Sequence, residues 1–234
     1  MTKVVGLIGG FSWRTTALYY QEINQHISSK LGGIHSANIV IRSLDYAEVA
    51  HYITTKDFTG MTDLFCKSGH ELKRADASAL VLCANVAHKA ADTVQREVGL
   101  PILHIADFAG REVVMQGYKK VGLLATRAVM EEEFYMERLR REYGLEVFVP
   151  DKEFREKADR LIFEELSKEV VEQCVVDTIH SAYQNLVREK GVECVILGCT
   201  EFRLVFGKKD RTVPTFETTS LHAKGVAEWL LEEA

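Results

Sequence analysis

Short unbroken apolar runs recur along this chain, each followed by a longer stretch in which apolar residues return at helical spacing. In the first half, the runs Val4–Ile8, Ala37–Arg42, Ala79–Cys83 and Ile102–His104 predict strands. In the second half, Lys120–Leu124, Leu145–Phe148, Cys194–Leu197 and Val213–Phe216 do the same. Several are continuous in Val, Ile and Leu rather than alternating, as expected of parallel strands with helices covering both faces. Helical patterns run over Thr16–Leu31, stopped by Gly32-Gly33, and over Met130–Tyr143, stopped by Gly144. The latter has Glu131, Glu132 and Glu133 at its start and Arg138, Arg140 and Arg141 near its end, matching the helix dipole. Asp151–Ser167 and Val170–Glu189 are two further helical stretches. The rhythm is that of an α/β fold built of βαβ units.

The strands also repeat. Ala79-Leu80-Val81-Leu82-Cys83-Ala84-Asn85 aligns with Cys194-Val195-Ile196-Leu197-Gly198-Cys199-Thr200, placing Cys83 on Gly198, Ala84 on Cys199 and Asn85 on Thr200. At almost the same offset, Val5-Gly6-Leu7-Ile8-Gly9 aligns with Val121-Gly122-Leu123-Leu124-Ala125. The expectation is two pseudo-symmetric lobes, each a mainly parallel sheet flanked by helices, with the site in the cleft between them. With three prolines and no Pro/Gly/Ser-rich linker, the lobes should be joined by short crossings. The expected division is residues 1–105 plus 208–234 for the first lobe and 106–207 for the second, the chain returning from Val213 onward.

Composition narrows the function more than the fold. At 234 residues, 47% apolar and 27% charged, the chain is an ordinary globular protein. A net charge of −5 argues against a general nucleic-acid or anionic-membrane binder. Met1-Thr2-Lys3 runs straight into a strand without a signal-peptide layout, and no apolar run approaches the roughly 18 residues of a membrane span. Five cysteines, odd in number and lacking a C-x-x-C pair, fit reduced thiols in the cytoplasm better than disulfides or zinc.

Three strand-to-helix junctions carry candidate chemistry. Gly9-Gly10-Phe11-Ser12 lets backbone approach a ligand at a helix N-terminus, which suits an anion. It lacks both G-x-G-x-x-G and a Gly-Lys-Ser/Thr ending, so a carboxylate fits better than a nucleotide. A tight turn with no ligand is the alternative. In Cys83-Ala84-Asn85-Val86-Ala87-His88, neighbouring strand residues face opposite ways, so Cys83 packs inside if Ala84 faces the cleft. Asn85 both donates and accepts, suiting an amino acid's carboxylate. His88 is either a ligand or base, or a capping or core contact. In Gly198-Cys199-Thr200-Glu201, backbone N–H groups at the turn favour a thiolate at Cys199, which makes that residue a candidate proton-transfer group. Thr126, at the end of another strand, is either a carboxylate or amine contact or an N-cap.

Motifs throughout the chain resemble the aspartate/glutamate racemase family, and its aspartate racemase branch in particular. They are Gly9-Gly10-Phe11-Ser12-Trp13-Arg14-Thr15-Thr16, Leu31-Gly32-Gly33-Ile34-His35-Ser36-Ala37 and Leu103-His104-Ile105-Ala106-Asp107, then Ile162-Phe163-Glu164-Glu165-Leu166 and Leu197-Gly198-Cys199-Thr200-Glu201. The resemblance implies a cytoplasmic homodimer that needs no cofactor and transfers a proton at Cα of a small acidic amino acid, with one cysteine on each face of the substrate. Cys199 matches the family's second cysteine. The first immediately precedes an Asn-Thr pair, and here that position is Ala84, followed by Asn85 and Val86. Alanine has no proton to give or take, and Val86 removes a hydroxyl donor, which against a charged carboxylate is worth roughly 1.5–3 kcal/mol. Relatives with threonine in the first position are selective for L-acidic amino acids, and a decarboxylating branch keeps only the second cysteine. The resemblance also brings Lys168 to the substrate's distal carboxylate; a solvated lysine at a helix end is the alternative.

The leading expectation is therefore a pyridoxal-independent isomerase that handles L and D substrates unequally. Cys199 is its base, and Gly10, Phe11, Ser12, Ala84, Asn85, Val86, Thr126, Lys168, Thr200 and Glu201 line its substrate site. A single-cysteine lyase that protonates one face, and a catalytically silent binding protein, are the alternatives.

Overall fold

The computed structural model describes residues 3–166, 170–206 and 211–232, apart from the Leu204 side chain. The first half runs β1 (Val5–Gly9), α1 (Trp13–Leu31), β2 (Ile39–Ser43), α2 (Tyr46–Thr55), α3 (Phe58–Arg74), β3 (Ala79–Leu82) and α4 (Ala91–Val98), with a 3-10 turn over Val86–Ala90 before α4. The second runs α5 (Ile105–Met115), β4 (Lys120–Ala125), α6 (Arg127–Glu131), α7 (Glu133–Tyr143), β5 (Glu146–Phe148), α8 (Lys152–Arg160), α9 (Gln173–Arg188), β6 (Cys194–Gly198), β7 (Thr215–Glu217) and α10 (Thr218–Leu231). A π-helical stretch over Leu161–Glu165 follows α8, and a 3-10 turn over Thr200–Leu204 follows β6.

The chain divides into two compact units, one of residues up to Ile105 plus those from His222, the other from Ala106 to Leu221. The first holds a parallel sheet of order β2-β1-β3, the second a parallel sheet of order β5-β4-β6-β7. β1, β3 and β6 are buried along their whole length, and β4 along all but Lys120, because helices lie on both faces.

The repeat read from the sequence is a repeat of register. Val5 pairs with Ala79 and Gly6 with Leu80, as Val121 pairs with Cys194 and Gly122 with Val195. It extends one strand further. Leu80 N donates to Pro101 O at 2.8 Å, and Val195 N donates to Pro214 O at 2.9 Å. Ile102 forms a single parallel bridge to Leu80, where its counterpart Thr215 begins β7 beside Val195. The strand expected over Ile102–His104 is thus reduced to one bridge.

The last strand also departs from the sequence reading, which sent the chain back to the first lobe from Val213 onward. β7 instead completes the second sheet, and the return comes at His222, inside α10. From there α10 joins the first unit's core, where Ala223, Val226 and Ala227 pack with Val5, Leu7, Tyr19, Ile23 and Val81. α5 does the converse, entering the second unit. Its Asp107 takes a two-pronged ion pair from Arg138 of α7 at 2.6 and 2.7 Å, and a Cβ on Gly110 would lie 2.6 Å from the Tyr143 ring.

Two expected helices are interrupted. Met130–Tyr143 is divided at Glu132, whose backbone is extended, into α6 and α7. Asp151 caps α8 by accepting from Phe154 N at 2.9 Å, as its position predicts, but the helix widens at Leu161. No helix among the described residues is long and apolar enough to cross a membrane.

Candidate active site

Parallel strands deliver their carboxyl ends to one edge of a sheet, and ligands of open α/β sheets bind at that edge. In the second unit this edge carries Thr126 after β4 and Cys199, Thr200 and Glu201 after β6. Gly198 is required just before the thiol, since a Cβ there would meet Ala125 Cβ at 2.8 Å. Cys199 is the extended N-cap residue of the short 3-10 turn that follows. That turn folds Glu201 back onto its own cap. Cys199 Sγ donates to Glu201 Oε2 at 2.8 Å, and Thr200 Oγ1 donates to the same oxygen at 2.8 Å.

The backbone N–H groups of Thr200 and Glu201 point at the sulfur, the arrangement expected to favour a thiolate. They do not prevail. Loss of solvent around Cys199, then the negative charge of Glu201 and the S–H···O bond, raise the thiol well above its ordinary range. At neutral pH, Cys199 is a protonated thiol with a carboxylate in place to receive its proton. Replacing Glu201→Gln removes the negative charge and leaves only a neutral amide oxygen as acceptor. The midpoint for Cys199 thiolate formation should therefore fall by about 1–3 pH units. It is measured by the pH dependence of alkylation relative to a Cys199→Ala background; an unchanged midpoint would exclude this pairing.

Thr126 occupies the N-cap position of α6, but its side chain makes no cap bond. Its hydroxyl is buried without a hydrogen-bond partner among the described residues. The N-cap reading of the Thr126 side chain is therefore not met, and its hydroxyl is open to a partner beyond the described residues.

The first unit offers the corresponding edge with different chemistry. Gly10, at φ +94°, sits against the backbone of Leu44, leaving no room for a side chain. Its N–H donates to Thr16 Oγ1 at 2.9 Å, so this amide of the turn is already engaged and does not serve an incoming anion. Phe11 packs edge-on against Phe65 at 5.3 Å as a wall of the core. Ser12 is the N-cap residue of α1, partly exposed, and its side chain makes no cap bond.

After β3, register places Ala84 at the counterpart of Cys199, Asn85 at that of Thr200 and Val86 at that of Glu201. The acid, its acceptor and the hydroxyl between them are all replaced. Asn85 is buried and does not cap the following turn; Ala84 and Val86 are partly exposed. Cys83 does not substitute for the missing thiol. It is 1% exposed, packed with Tyr19 and Val81, and burial pushes its thiol far up. His88 is a core residue, as one of its two readings held. Its Nδ1 bonds Ala84 O at 2.9 Å and its Nε2 accepts from Ile105 N at 3.2 Å, leaving neither nitrogen for a ligand.

His88 belongs to a buried group that the sequence did not foretell. Its ring lies 4.4 Å from His104 and 5.7 Å from His222. His222 bonds Leu103 O at 2.7 Å and Tyr19 OH at 2.8 Å, and burial holds its imidazole well below the ordinary range. These rings brace the Ala84 turn and the segment Leu103–Ile105. Among the described residues, no three His, Cys, Asp or Glu side chains converge as metal ligands. Lys168 lies outside the described residues.

Known proteins share this architecture. A crystal structure described as a putative Asp/Glu racemase from Yersinia pestis is 40% identical, with a TM-score of 0.92 over 98% of this chain and 100% of that one. An aspartate racemase homologue from Pyrococcus horikoshii OT3 is 32% identical, with a TM-score of 0.82 over 99% of this chain and 100% of its own. A glutamate racemase from Francisella tularensis, solved in complex with D-glutamate, shares the fold at 16% identity, with a TM-score of 0.67 over 98% of this chain and 81% of that one. The family model for Asp/Glu/Hydantoin racemase matches residues 8–226. With the motifs, the repeated register and the thiol at the end of β6, this match settles the lineage: the chain belongs to the Asp/Glu/Hydantoin racemase family.

Proposed function

We propose that the protein is a cofactor-independent isomerase that moves the proton at Cα of aspartate or glutamate, with Cys199 as its one acid–base thiol. The observation that carries this reading is the Cys199 Sγ–Glu201 Oε2 hydrogen bond at the end of β6. It gives the thiol's proton a destination. In the proposed reaction, Glu201 accepts the Sγ proton as substrate binds, and the thiolate then takes the Cα proton. The electron pair left behind spreads into the substrate carboxylate. Thr126 Oγ1 is the hydroxyl at that edge suited to hold the carboxylate, and Thr200 Oγ1 can join it only by releasing Glu201, to which it donates. Ser12 and Asn85 are the polar candidates of the first unit, and the Gly10 amide drops out.

Returning the proton from Sγ restores the starting enantiomer. Inversion requires a proton from the opposite face of the substrate; in the family the first cysteine supplies it, and the residue of this chain that matches that cysteine is Ala84. Water is the remaining donor there, so inversion is slow and the two enantiomers exchange at different rates. The two similar structures named for Asp/Glu and aspartate racemases support the substrate class.

Proton NMR in deuterated water, with L- and D-aspartate and L- and D-glutamate, tests this. One enantiomer should lose its Cα signal at least about tenfold faster than its mirror image, with retention outpacing inversion. Equal exchange of both enantiomers would defeat the asymmetric mechanism. A single-thiol lyase, favoured by the thiol being protonated at rest, predicts no exchange from any of the four and carbon dioxide release from a malonate-type acid.

A further inference from the structure

The 3-10 turn over Thr200–Leu204 is too short to hold its own shape. A single winding makes few backbone bonds, and 3-10 geometry makes them poorer than α-helical ones. Phe202 N reaches Cys199 O only at 3.4 Å. Yet this turn brings Glu201 back to the sulfur, so the pairing lasts only while the turn stays wound. From α9, His180 steadies the residues that follow, bonding Val205 O at 3.3 Å and stacking on the Phe206 ring at 5.2 Å. A set of charges steadies the turn from β7. Glu217 closes β7 in register with Leu197, two residues before Cys199. Its Oε2 pairs with Arg203 Nε at 3.1 Å, and its Oε1 accepts from Arg211 at 3.3 Å. Arg211 donates further to Phe206 O at 3.0 Å and to Thr215 Oγ1 at 2.6 Å. One carboxylate therefore ties β7 to the turn at Arg203 and, through Arg211, to the chain at Phe206. The side chains of Glu217 and Arg211 are 23% and 24% exposed, so solvent screens their pair less than one on the open surface.

We propose that Glu217 is a positioning residue for the proton-transfer pair: held between Arg203 and Arg211, it fixes the turn so that Glu201 Oε2 stays on Cys199 Sγ. This role rests on the reading of Cys199 and Glu201 given above. Glu217 acts through the turn and not as a charge on the sulfur. The carboxylate that bears on the thiol is that of Glu201, whereas Glu217 is neutralised by two guanidinium groups. The two modes of action differ in sign at Arg203. A nearby cation favours a thiolate, so if charge alone mattered, removing Arg203 would raise the Cys199 midpoint. If the brace matters, removing Arg203 loosens the turn, Glu201 moves off the sulfur, and the midpoint falls. Glu201 should then be indispensable to the effect, because a turn without that carboxylate has nothing to hold in place.

Titration of Cys199 by the pH dependence of alkylation, in the full chain and against a Cys199→Ala background of each variant, tests the proposal. Glu217→Gln and Arg203→Met should each lower the midpoint by about 1 pH unit. In a Glu201→Gln background, neither should move it by more than about 0.3 pH unit. Both variants should also slow exchange of the Cα proton of aspartate or glutamate about tenfold, with KM within about twofold of wild type. Circular dichroism and melting temperature verify that each variant is folded. A midpoint that rises in Arg203→Met, that stays unchanged in both variants, or that falls equally with and without Glu201 would overturn the inference. Alkylation needs no turnover, so the two readings fail separately. Lowered midpoints with no Cα exchange from wild-type protein would keep the brace and reject the reaction. Cα exchange with unchanged midpoints would reject the brace alone.

Discussion

In deuterated buffer, Cys199→Ala is expected to slow exchange of the Cα proton of aspartate or glutamate by about 10³-fold, the weight of a well-placed general acid–base group. The loss should be this large because neither the counterpart position nor the cysteine beside it can take over. The register counterpart, Ala84, carries a methyl group, and Cys83 is enclosed in the core with its thiol held protonated. Cys199→Ser should be nearly as impaired. A hydroxyl can keep the hydrogen bond to Glu201, but it ionises far less readily than a thiol. Neither change should disturb the fold, because Cys199 bonds to Glu201 at the end of β6 and neither replacement is larger than the thiol. The melting temperature should stay within about 3 °C of wild type. Should Cys199→Ala retain more than a tenth of the wild-type exchange rate, the proton-transfer group lies elsewhere.

The reverse experiment adds a group. Ala84→Cys is expected to raise the rate of inversion by about 100-fold and bring the two enantiomers toward equal turnover. Ala84 is partly exposed, so a sulfur can be accommodated without rebuilding the core. It follows β3 as Cys199 follows β6, in matching register with the neighbouring strand. The new thiol would lack an acceptor like Glu201, because Val86 holds that place, so its pH profile should differ from that of Cys199. Adding Val86→Thr supplies a hydroxyl and should lower KM about tenfold while leaving the enantiomer ratio unchanged. If Ala84→Cys increases exchange without altering the ratio of inversion to retention, the first repeat does not contribute a face to the reaction.

Much of this was legible in the amino-acid order. The strands of both sheet centres announced themselves as unbroken apolar runs because parallel strands are covered on both sides, and aligning the two halves gave the correspondence that the matching registers of β1 with β3 and of β4 with β6 repeat. Short or edge elements were harder. Ile102 makes one bridge and β7 has three residues, so neither carries enough pattern to reveal which sheet it joins. α2 and α3 went unread although their starts are marked: Asp45 and Asp57 cap them by accepting from Ala47 N and Gly60 N, and α3 buries Met61, Phe65, Gly69 and Leu72 at helical spacing. At the site, the type and place of Cys199 were readable, and its protonation was not. Two residues of spacing do not show that a 3-10 turn brings Glu201 back to the sulfur. The Gly9-Gly10 turn misled for a similar reason, since the hydroxyl that occupies the Gly10 amide comes from Thr16, a full turn into α1.

The handover of α5 and α10 bears on what either half can do when severed from the other. α10 is encoded last yet packs in the core begun by the first residues, and α5, encoded at the end of the first half, belongs to the second unit. A fragment ending at Ile105 would therefore leave Tyr19 and Ile23 without Ala223, Val226 and Ala227 to cover them, and adding a peptide of residues 218–232 in trans should restore its melting transition.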